Sequence, residues 1–420
     1  MSKTSSIKID LQLGVTSPQG FRAGAAAVGV KKFSEKPDVA VLACDVEAAA
    51  AAVFTQNKVC AAPVTVSREN LAKAAGRIRG VVANSGNANA CTGRQGMADA
   101  RAMAFAAAAE LACPAKQFLV ASTGVIGRLM PMDKVFAGVK RSCETLASGP
   151  EADSAFARAI MTTDTRPKQA GVRIKIGGRT VTVAGATKGV GMIAPNMATM
   201  LGFLTTDAAV APAVLAKMLR RAADATYNCL TVDGHTSTND TLIIMASGLA
   251  MQGAGRAAGA PGVSAKSADG RHLADAILAV CDSLARQIAA DAEGGTKVIE
   301  VRVTGAKSDA EARAAAGAIA NSPLVKTAFF GQDPNWGRIV SAAGYAGISS
   351  GPETMSLTLG GLKIFAKGRP VAADEGRLAA VMKAHDIEVH LDLGAGRGRA
   401  RYLTCDFSYD YVKINAEYTT

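Results

Sequence analysis

The segment Lys188 to Ala208, KGVGMIAPNMATMLGFLTTDA, places the hydroxyl of Thr199 inside an apolar run. A buried hydroxyl costs free energy unless it is hydrogen-bonded, so valine would fill a core position better. Two interpretations are open at this point. The hydroxyl can bond a local backbone carbonyl, which is the common structural role of threonine, or it can act as a nucleophile.

The residues around Thr199 favour the nucleophile. Gly189 and Gly191 allow close backbone approach or positive φ, Pro195 stiffens the approach, and small Ala198 leaves the preceding carbonyl open to attack. Attack by Thr199 Oγ would convert the Ala198–Thr199 amide into an ester, which water would hydrolyse. Thr199 would then be a new amino terminus, and its α-amine, with a reference pKa of about 7.7, would be a base beside the hydroxyl.

The fold that has to position this hydroxyl can be inferred from the pattern of the chain. Apolar, β-branched segments alternate with Ala-rich segments, which indicates an α/β or α+β fold. We expect strands at DVAVLACD, RIRGVVANS, KQFLVAS, VRIKI, RTVTVAG, TLIIMAS, KVIEVRVTG and MSLTLGG. We expect helices at GMADARAMAFAAAAELA, APAVLAKMLRRAADATY, LADAILAVCDSLARQIAADA, SDAEARAAAGAIA and DEGRLAAVMKAH. The segment Gly253 to Gly270, rich in Gly, Ala, Ser and Pro, is predicted to be a surface loop.

Length and composition narrow the class of protein. A chain of 420 residues, 49% hydrophobic and 20% charged, is long enough for two domains or one large α/β body. The amino end has no apolar stretch typical of a secretory signal, and the apolar run GMIAPNMATMLGFL is too short to span a membrane. We therefore expect a cytoplasmic protein with no membrane partner. The eight cysteines stand singly, which predicts reduced, mostly buried thiols.

The net charge of +12 is compatible with nucleic acid, anionic substrates or only a basic surface. Basic residues occur along the whole chain, with the densest cluster in GAGRGRARY near the carboxyl end. Aromatic residues make up only 5% of the chain, which leaves few platforms for stacking bases. We expect no nucleic-acid partner, and anionic small molecules fit the charge equally well.

Beyond the composition, the chain resembles the ornithine acetyltransferases, also called glutamate N-acetyltransferases, of the cyclic route to arginine. The segment around Thr199 is similar to the signature of that family. Seven further blocks carry the resemblance in the same order along nearly the whole chain: ANSGNANACTG, STGVIG, IMTTDTRPKQ, TVDGHTSTNDT, DAEGGTK, SPLVKTAFFGQDPNWGRI and YVKINAEYTT.

The resemblance implies a fold and a reaction. The fold is the αββα sandwich of self-processing, N-terminal-nucleophile enzymes. The precursor cuts itself between Ala198 and Thr199 into an α chain, residues 1–198, and a β chain, residues 199–420, which assemble as an α2β2 tetramer. The Thr199 hydroxyl takes acetyl from N2-acetylornithine, ornithine leaves, and glutamate accepts the acetyl group in a ping-pong transfer. No metal or redox cofactor is implied.

The resemblance also assigns roles around the nucleophile. The hydroxyl of Thr123 and the amide of Gly124 match the oxyanion hole that tetrahedral intermediates require. Lys188 matches the cation for the substrate's α-carboxylate, and Glu293 matches the acid that holds its amino group. Glu293 precedes two glycines that we expect to end a helix.

Three further residues match substrate-binding positions. Thr162 is chosen over the adjacent Thr163 in MTTDT, and Asn415 and Thr420 would bring the carboxyl-terminal tail over the site. Taken alone, each of these residues also fits an ordinary turn, helix end or frayed tail. The acetyl donor has two alternatives, since some members of the family also accept acetyl-CoA as a co-substrate while others only recycle acetyl from N-acetylornithine.

One position departs from the family. This chain reads TVDGHTSTND, with His235 where we expect aspartate. A histidine beside Asp233 could suggest a catalytic dyad, but Thr199 already has its own amine as a base. We therefore interpret His235 as a structural or surface residue whose change affects local hydrogen bonding.

Three other classes of protein fit parts of the sequence. The segment Val389 to Gly398, VHLDLGAGRG, imitates the strand and glycine loop of S-adenosylmethionine-binding methyltransferases, but too little chain follows for that fold, and a hairpin turn between two strands is the preferred interpretation. A self-processing amidase or aminopeptidase would use the same threonine and pass the acyl group to water. A basic binding protein without catalysis would remain uncut and bind nucleic acid in a salt-sensitive way.

Overall fold

A computed structural model describes residues 7–31, 35–194, 200–252 and 262–417 of the chain. The strands are β1 (Phe21–Ala26), β2 (Val39–Phe54), β3 (Arg77–Asn87), β4 (Phe118–Val125), β5 (Lys168–Ile176), β6 (Arg179–Lys188), β7 (Leu201–Thr206), β8 (Thr241–Ala246), β9 (Val298–Ala306), β10 (Ser356–Leu359), β11 (Leu362–Ala366), β12 (Arg369–Pro370), β13 (Asp386–Asp392) and β14 (Gly398–Cys405). The α-helices are α1 (Ala62–Lys73), α2 (Gly93–Glu110), α3 (Met132–Glu144), α4 (Pro150–Ala159), α5 (Pro212–Ala225), α6 (Ala268–Ala289), α7 (Asp309–Asn321), α8 (Pro323–Phe330), α9 (Trp336–Gly344), α10 (Glu375–Lys383) and α11 (Tyr409–Glu417).

The first eight strands form one continuous sheet that is folded into two layers. Its order is β4-β3-β2-β8-β7-β6-β5, with β1 also paired to β2. Strand β2 belongs to both layers: its amino-terminal half pairs with β1 and β3, and its carboxyl-terminal half pairs with β8. The register with β3 shifts between Ala43 and Ala48, and such bulges bend a strand.

A core between the two layers shows the sandwich. Val81 and Leu119 of the β2–β4 layer belong to the same buried cluster as Phe203 and Ile243 of the β5–β8 layer. Phe156 of α4 meets Phe203 edge to face, with 5.2 Å between ring centroids. Side chains alternate between strand faces, so the neighbouring residues of each strand point outward.

Helices cover both outer faces of these layers. Val82 of β3 packs with residues of α1, α2 and α3 in one buried cluster. Leu204 of β7 and Ile244 of β8 pack with Leu219 of α5 and Leu284 of α6 in another. The result is an αββα arrangement, which confirms the predicted fold class.

The remaining strands form a second sheet, in the order β12-β11-β10-β13-β9-β14. Its apolar residues, among them Val301 of β9 and Leu391 of β13, share one buried cluster with Ile319 of α7, Phe329 of α8 and Ile339 of α9. Among the described residues, no helix is both long and apolar enough to cross a membrane.

The hairpin predicted for VHLDLGAGRG is wrong. Strand β9 lies between β13 and β14, parallel to the first and antiparallel to the second. The amides of Leu393 and Ala395 donate to the carbonyls of Thr304 and Gly305, which carries the turn across the end of β9. The glycine turn leads into a strand rather than a helix, so the methyltransferase interpretation has no structural support here.

Two predicted boundaries around α6 also change. The helix begins at Ala268, capped by the Ser267 side chain, so the predicted loop is shorter than Gly253 to Gly270, and its residues 253–261 lie outside the described residues. The helix ends at Ala289 rather than at the glycines beyond Glu293, which therefore lies in the following turn. All eight cysteines are free; four are buried and Cys91 is exposed.

Candidate active site

The cavity at this site has a volume of about 250 Å³. Six of the predicted catalytic and substrate-binding residues line it together: Thr123, Gly124, Thr162, Lys188, Glu293 and Asn415. Ala198, Thr199 and Thr420 lie outside the described residues. Described residues on both sides of positions 195–199 lie near the cavity: Met192 lines it, and Leu201 pairs with the lining residue Lys188 across β7 and β6.

Lys188, at the end of β6, is a buried cation on the cavity wall. Its side chain is nearly inaccessible, and its Nζ donates to Thr162 Oγ1 at 3.2 Å. Burial lowers the pKa of Lys188, while the carboxylates of Asp164 and Asp240 act in the opposite direction. The cavity thus presents a desolvated ammonium group next to a hydroxyl.

Glu293 supplies a carboxylate to the same cavity. Its Oε1 accepts a hydrogen bond from Thr163 Oγ1 at 2.8 Å, and its Oε2 accepts one from Asn415 Nδ2 at 3.2 Å. A Cβ added to Gly191 would lie 2.3 Å from Glu293 Oε2. Glycine at position 191 therefore makes room for this carboxylate, a reason that the sequence did not reveal.

Thr123 and Gly124 lie at the end of β4, beside the end of β3. Gly124 has φ +132°, and a Cβ there would lie 2.4 Å from the carbonyl carbon of Gly86. Only glycine fits this close approach of two strands. The close packing fixes a threonine hydroxyl and a main-chain amide at the cavity wall.

Asp233 holds the chain that leads toward Thr199. Its carboxylate accepts hydrogen bonds from the amides of Met192 at 2.5 Å, Ile193 at 2.9 Å and His235 at 3.0 Å. Met192 has φ +54°, unusual for a residue with a side chain. His235 is exposed at the cavity, and it contacts Asp233 through its backbone amide rather than as an oriented ring.

Asp240 holds the chain on the other side of the segment. It is fully buried, and its Oδ1 accepts a hydrogen bond from the amide of Met200 at 3.0 Å. Burial raises the pKa of the Asp240 carboxyl well above its usual range, although the Met200 amide and Lys188 act against this shift. An acid with a raised pKa therefore binds Met200, the residue that follows Thr199 in the chain.

Sequence reasoning gave no role to several residues at this cavity. Thr163, Asp233 and Tyr411 all line it, and Asp240 binds the Met200 amide. Tyr411 stacks on Phe407 with ring centroids 4.6 Å apart, and burial raises its pKa to about 12. For the two aspartates the available signal was the block TVDGHTSTND, which holds two carboxylates and no lysine or arginine.

Thr162 and Thr163 both face the cavity, but they have different partners. Thr162 accepts from Lys188, whereas Thr163 donates to Glu293. Among the described residues, no group of three or more His, Cys, Asp or Glu side chains is arranged to hold a metal ion. The expectation of a reaction without metal or redox cofactor stays a prediction.

Comparison with known proteins gives consistent matches. The chain is 50% identical over 408 residues to the arginine biosynthesis bifunctional protein ArgJ of Symbiobacterium thermophilum, covering 97% of this chain and 98% of the relative. It is 45% identical over 406 residues to the ArgJ protein of Shouchella clausii, covering 97% and 96%. A solved ornithine acetyltransferase of Mycobacterium tuberculosis, complexed with ornithine, is 40% identical, covers 47% of this chain and 100% of its own, and superposes with a TM-score of 0.42.

The match to the family itself is equally extensive. It runs from residue 22 to residue 420, and so includes every residue that lines the cavity. Since this match and the nearly end-to-end relatives agree, the chain belongs to the ArgJ family, the acyltransferases of arginine biosynthesis.

Proposed function

We propose that the protein transfers acetyl from N2-acetylornithine to glutamate through an acetyl-Thr199 intermediate, after cutting itself between Ala198 and Thr199. The observation that carries this proposal is the pairing of Lys188 and Glu293 in one small cavity. A cation and a carboxylate together match an amino acid that presents a free carboxylate and a free amino group. In this proposal Lys188 binds the α-carboxylate, and Glu293 binds the free amino group of the acetylornithine side chain.

The register of the sheet supports Thr199 as the nucleophile. Leu201 lies opposite Lys188, so Thr199 is two residues along the chain from a neighbour of that cation. The flanking residues are tied down by carboxylates, Ile193 by Asp233 and Met200 by Asp240. Both ends of the cleavage segment therefore start from fixed points beside the cavity.

The proposed maturation is an acyl shift followed by hydrolysis. Thr199 Oγ attacks the carbonyl carbon of Ala198, the C–N bond breaks, and the nitrogen becomes the α-amine of Thr199. Water then hydrolyses the Ala198 ester, leaving a free hydroxyl and a free amine on the same residue.

In the proposed transfer, the α-amine takes the hydroxyl proton as Thr199 Oγ attacks the acetyl carbonyl of N2-acetylornithine. The Thr123 hydroxyl and the Gly124 amide stabilise the oxyanion, and the proton passes to the departing ornithine nitrogen. Glutamate then attacks the acetyl ester through its own amine. N-acetylglutamate leaves and Thr199 is regenerated.

The fate of the acetyl group separates this proposal from its hydrolytic alternative. An amidase or aminopeptidase would pass the acetyl group to water, so in this enzyme glutamate-dependent transfer has to exceed hydrolysis. The curated relatives are named bifunctional, which supports acetyl-CoA as a second acetyl donor. We also propose that the cut fragments assemble as an α2β2 tetramer and that the enzyme is cytoplasmic.

The experiment that tests the proposal is intact-mass spectrometry with amino-terminal sequencing, followed by an acetyl-transfer assay on the same sample. We expect two fragments, the second beginning Thr199-Met200-Leu201, and transfer that depends on glutamate. Thr199→Ala should abolish cutting and transfer, whereas Thr199→Ser should retain part of each. A single uncut chain, or a fully active Thr199→Ala enzyme, would overturn the mechanism.

A further inference from the structure

A buried lysine that does not line the cavity stands between two carboxylates behind it. The Nζ of Lys168, which is 1% exposed, lies 2.7 Å from Asp164 Oδ1 and 2.5 Å from Asp291 Oδ2. Both carboxylates are buried as well. We call Asp164, Lys168 and Asp291 the buried triad.

Asp164 connects the triad to the Lys188 side of the cavity. Its Oδ1 accepts from the amide of Gly189 at 2.8 Å, and its Oδ2 accepts from the amide of Thr162 at 3.1 Å. Thr162 in turn accepts from the Lys188 ammonium group. One carboxylate therefore fixes the backbone on both sides of the contact between Lys188 and Thr162.

Asp291 connects the triad to the Glu293 side. It accepts from the Thr165 amide at 3.1 Å and also from the Thr165 hydroxyl, and it stands two residues before Glu293. Glu293 donates its own amide to the carbonyl of Val190, two residues after Lys188. The chain on each side of the cavity is thus tied to Lys168 through short, buried contacts.

Charges in this region are matched to one another. Burial alone would raise the pKa of the Asp164 carboxyl, but the nearby cations Lys168 and Lys188 together bring it below its ordinary value. Asp164 and Asp291 balance the charges of the two lysines when all four groups are ionised. Because a buried ion pair offers little stability compared with apolar packing, its presence beside a binding cavity calls for another role.

We infer that Lys168 is a positioning residue that sets the separation of Lys188 and Glu293, and thereby the length of the ω-amino acid that the cavity accepts. The inference rests on the proposed function, in which those two side chains bind the two ends of N2-acetylornithine. A substrate one methylene longer would have to push the two sides apart. N2-acetyllysine is such a substrate, and it keeps the same end groups.

The experiment compares kcat/KM for N2-acetylornithine and N2-acetyllysine in the wild-type enzyme and in Lys168→Met. One methylene commonly changes kcat/KM by roughly 10- to 200-fold, and we expect the wild type to prefer acetylornithine within that range. In Lys168→Met we expect this preference to fall at least tenfold, mainly through a higher KM for acetylornithine. Lys168→Arg, which keeps the charge, should recover part of it.

Thr165→Val is the second variant, since it removes only the hydroxyl contact with Asp291 and leaves all charges in place. Its preference should fall about threefold, whereas Thr145→Val, an exposed threonine bonded to its own helix, should match the wild type. An unchanged preference in folded Lys168→Met, or in Thr165→Val if Lys168→Met does not fold, would overturn the inference. A wild-type protein that transfers no acetyl would overturn the proposed function, and the inference with it.

Discussion

Replacing Glu293 with glutamine tests the charge of the cavity with almost no change of shape. The carboxylate is half-buried, and it accepts hydrogen bonds from Thr163 and Asn415. Glutamine keeps one acceptor oxygen and can still bond Thr163. At the other position its NH2 group faces the Asn415 amide, which can turn its oxygen toward it by giving up its exposed hydrogen bond to the Tyr411 carbonyl.

The expected loss therefore comes mainly from the charge. A carboxylate and an ammonium group 4 Å apart attract by about 4 kcal/mol at an effective dielectric constant of 20. Solvent access to a half-buried group reduces this value, and about 2 kcal/mol is a reasonable remainder. Since 1.4 kcal/mol corresponds to a factor of ten, kcat/KM for N2-acetylornithine should fall roughly 30-fold.

The assay is steady-state acetyl transfer at neutral pH, with the self-cleaved fraction of each sample measured beforehand. Glu110→Gln, a substitution at an exposed helix end, serves as the control and should match the wild type. Most of the loss should appear in KM, because the contact is present in both the ground state and the transition state. A Glu293→Gln enzyme with wild-type kcat/KM would refute the assigned role of this carboxylate.

Three other predictions follow from the site. Gly124→Ala should destabilise the fold by about 2–4 kcal/mol because its Cβ would meet the Gly86 backbone; urea unfolding should show a clearly smaller loss for Gly127→Ala, which has open space around it. Asp233→Asn should slow self-cleavage at least tenfold in a time course on denaturing gels, since its NH2 group would oppose the amides of Met192 or Ile193; unchanged cleavage would contradict this. Burial lowers the pKa of Lys188 from 10.5, so its charge is lost as pH rises through that lowered value. As pH is raised, the KM for N2-acetylornithine should therefore begin to increase before pH 10.5 is reached, and Lys188→Met should remove this dependence.

The parts of the fold that depend on local pattern were predictable from the sequence. The apolar runs that became β3, β4, β6 and β8 have the composition and length of buried strands, and the helical spacing located α5, α6 and α7. The placement of β9 between β13 and β14 was not predictable in this way. This placement joins residues that are about a hundred positions apart. The sequence of a glycine-rich turn also does not indicate whether the two strands that it connects pair with each other.

The candidate site was likewise predictable only in part. Resemblance to a family supplied Thr123, Lys188 and Glu293, and the geometry brings them together. The reasons for Gly124 and Gly191 came only from the structure, because each makes room for atoms that are distant in sequence. The pairing of Lys168 with Asp291 spans 123 positions, so nothing in the local sequence distinguishes it from a solvated lysine.

The strand order has a consequence for the molecule after the proposed cut. Strands β7 and β8, which follow position 199, lie between β2 and β6, which precede it, and each of the two junctions is a ladder of six residue pairs. The fragments could separate only if both ladders opened together with the core between the layers. We therefore expect a high kinetic barrier to separation of the two pieces. Once unfolded and mixed, the pieces have to meet before these ladders can form, so they should reassemble far more slowly than the uncut chain folds.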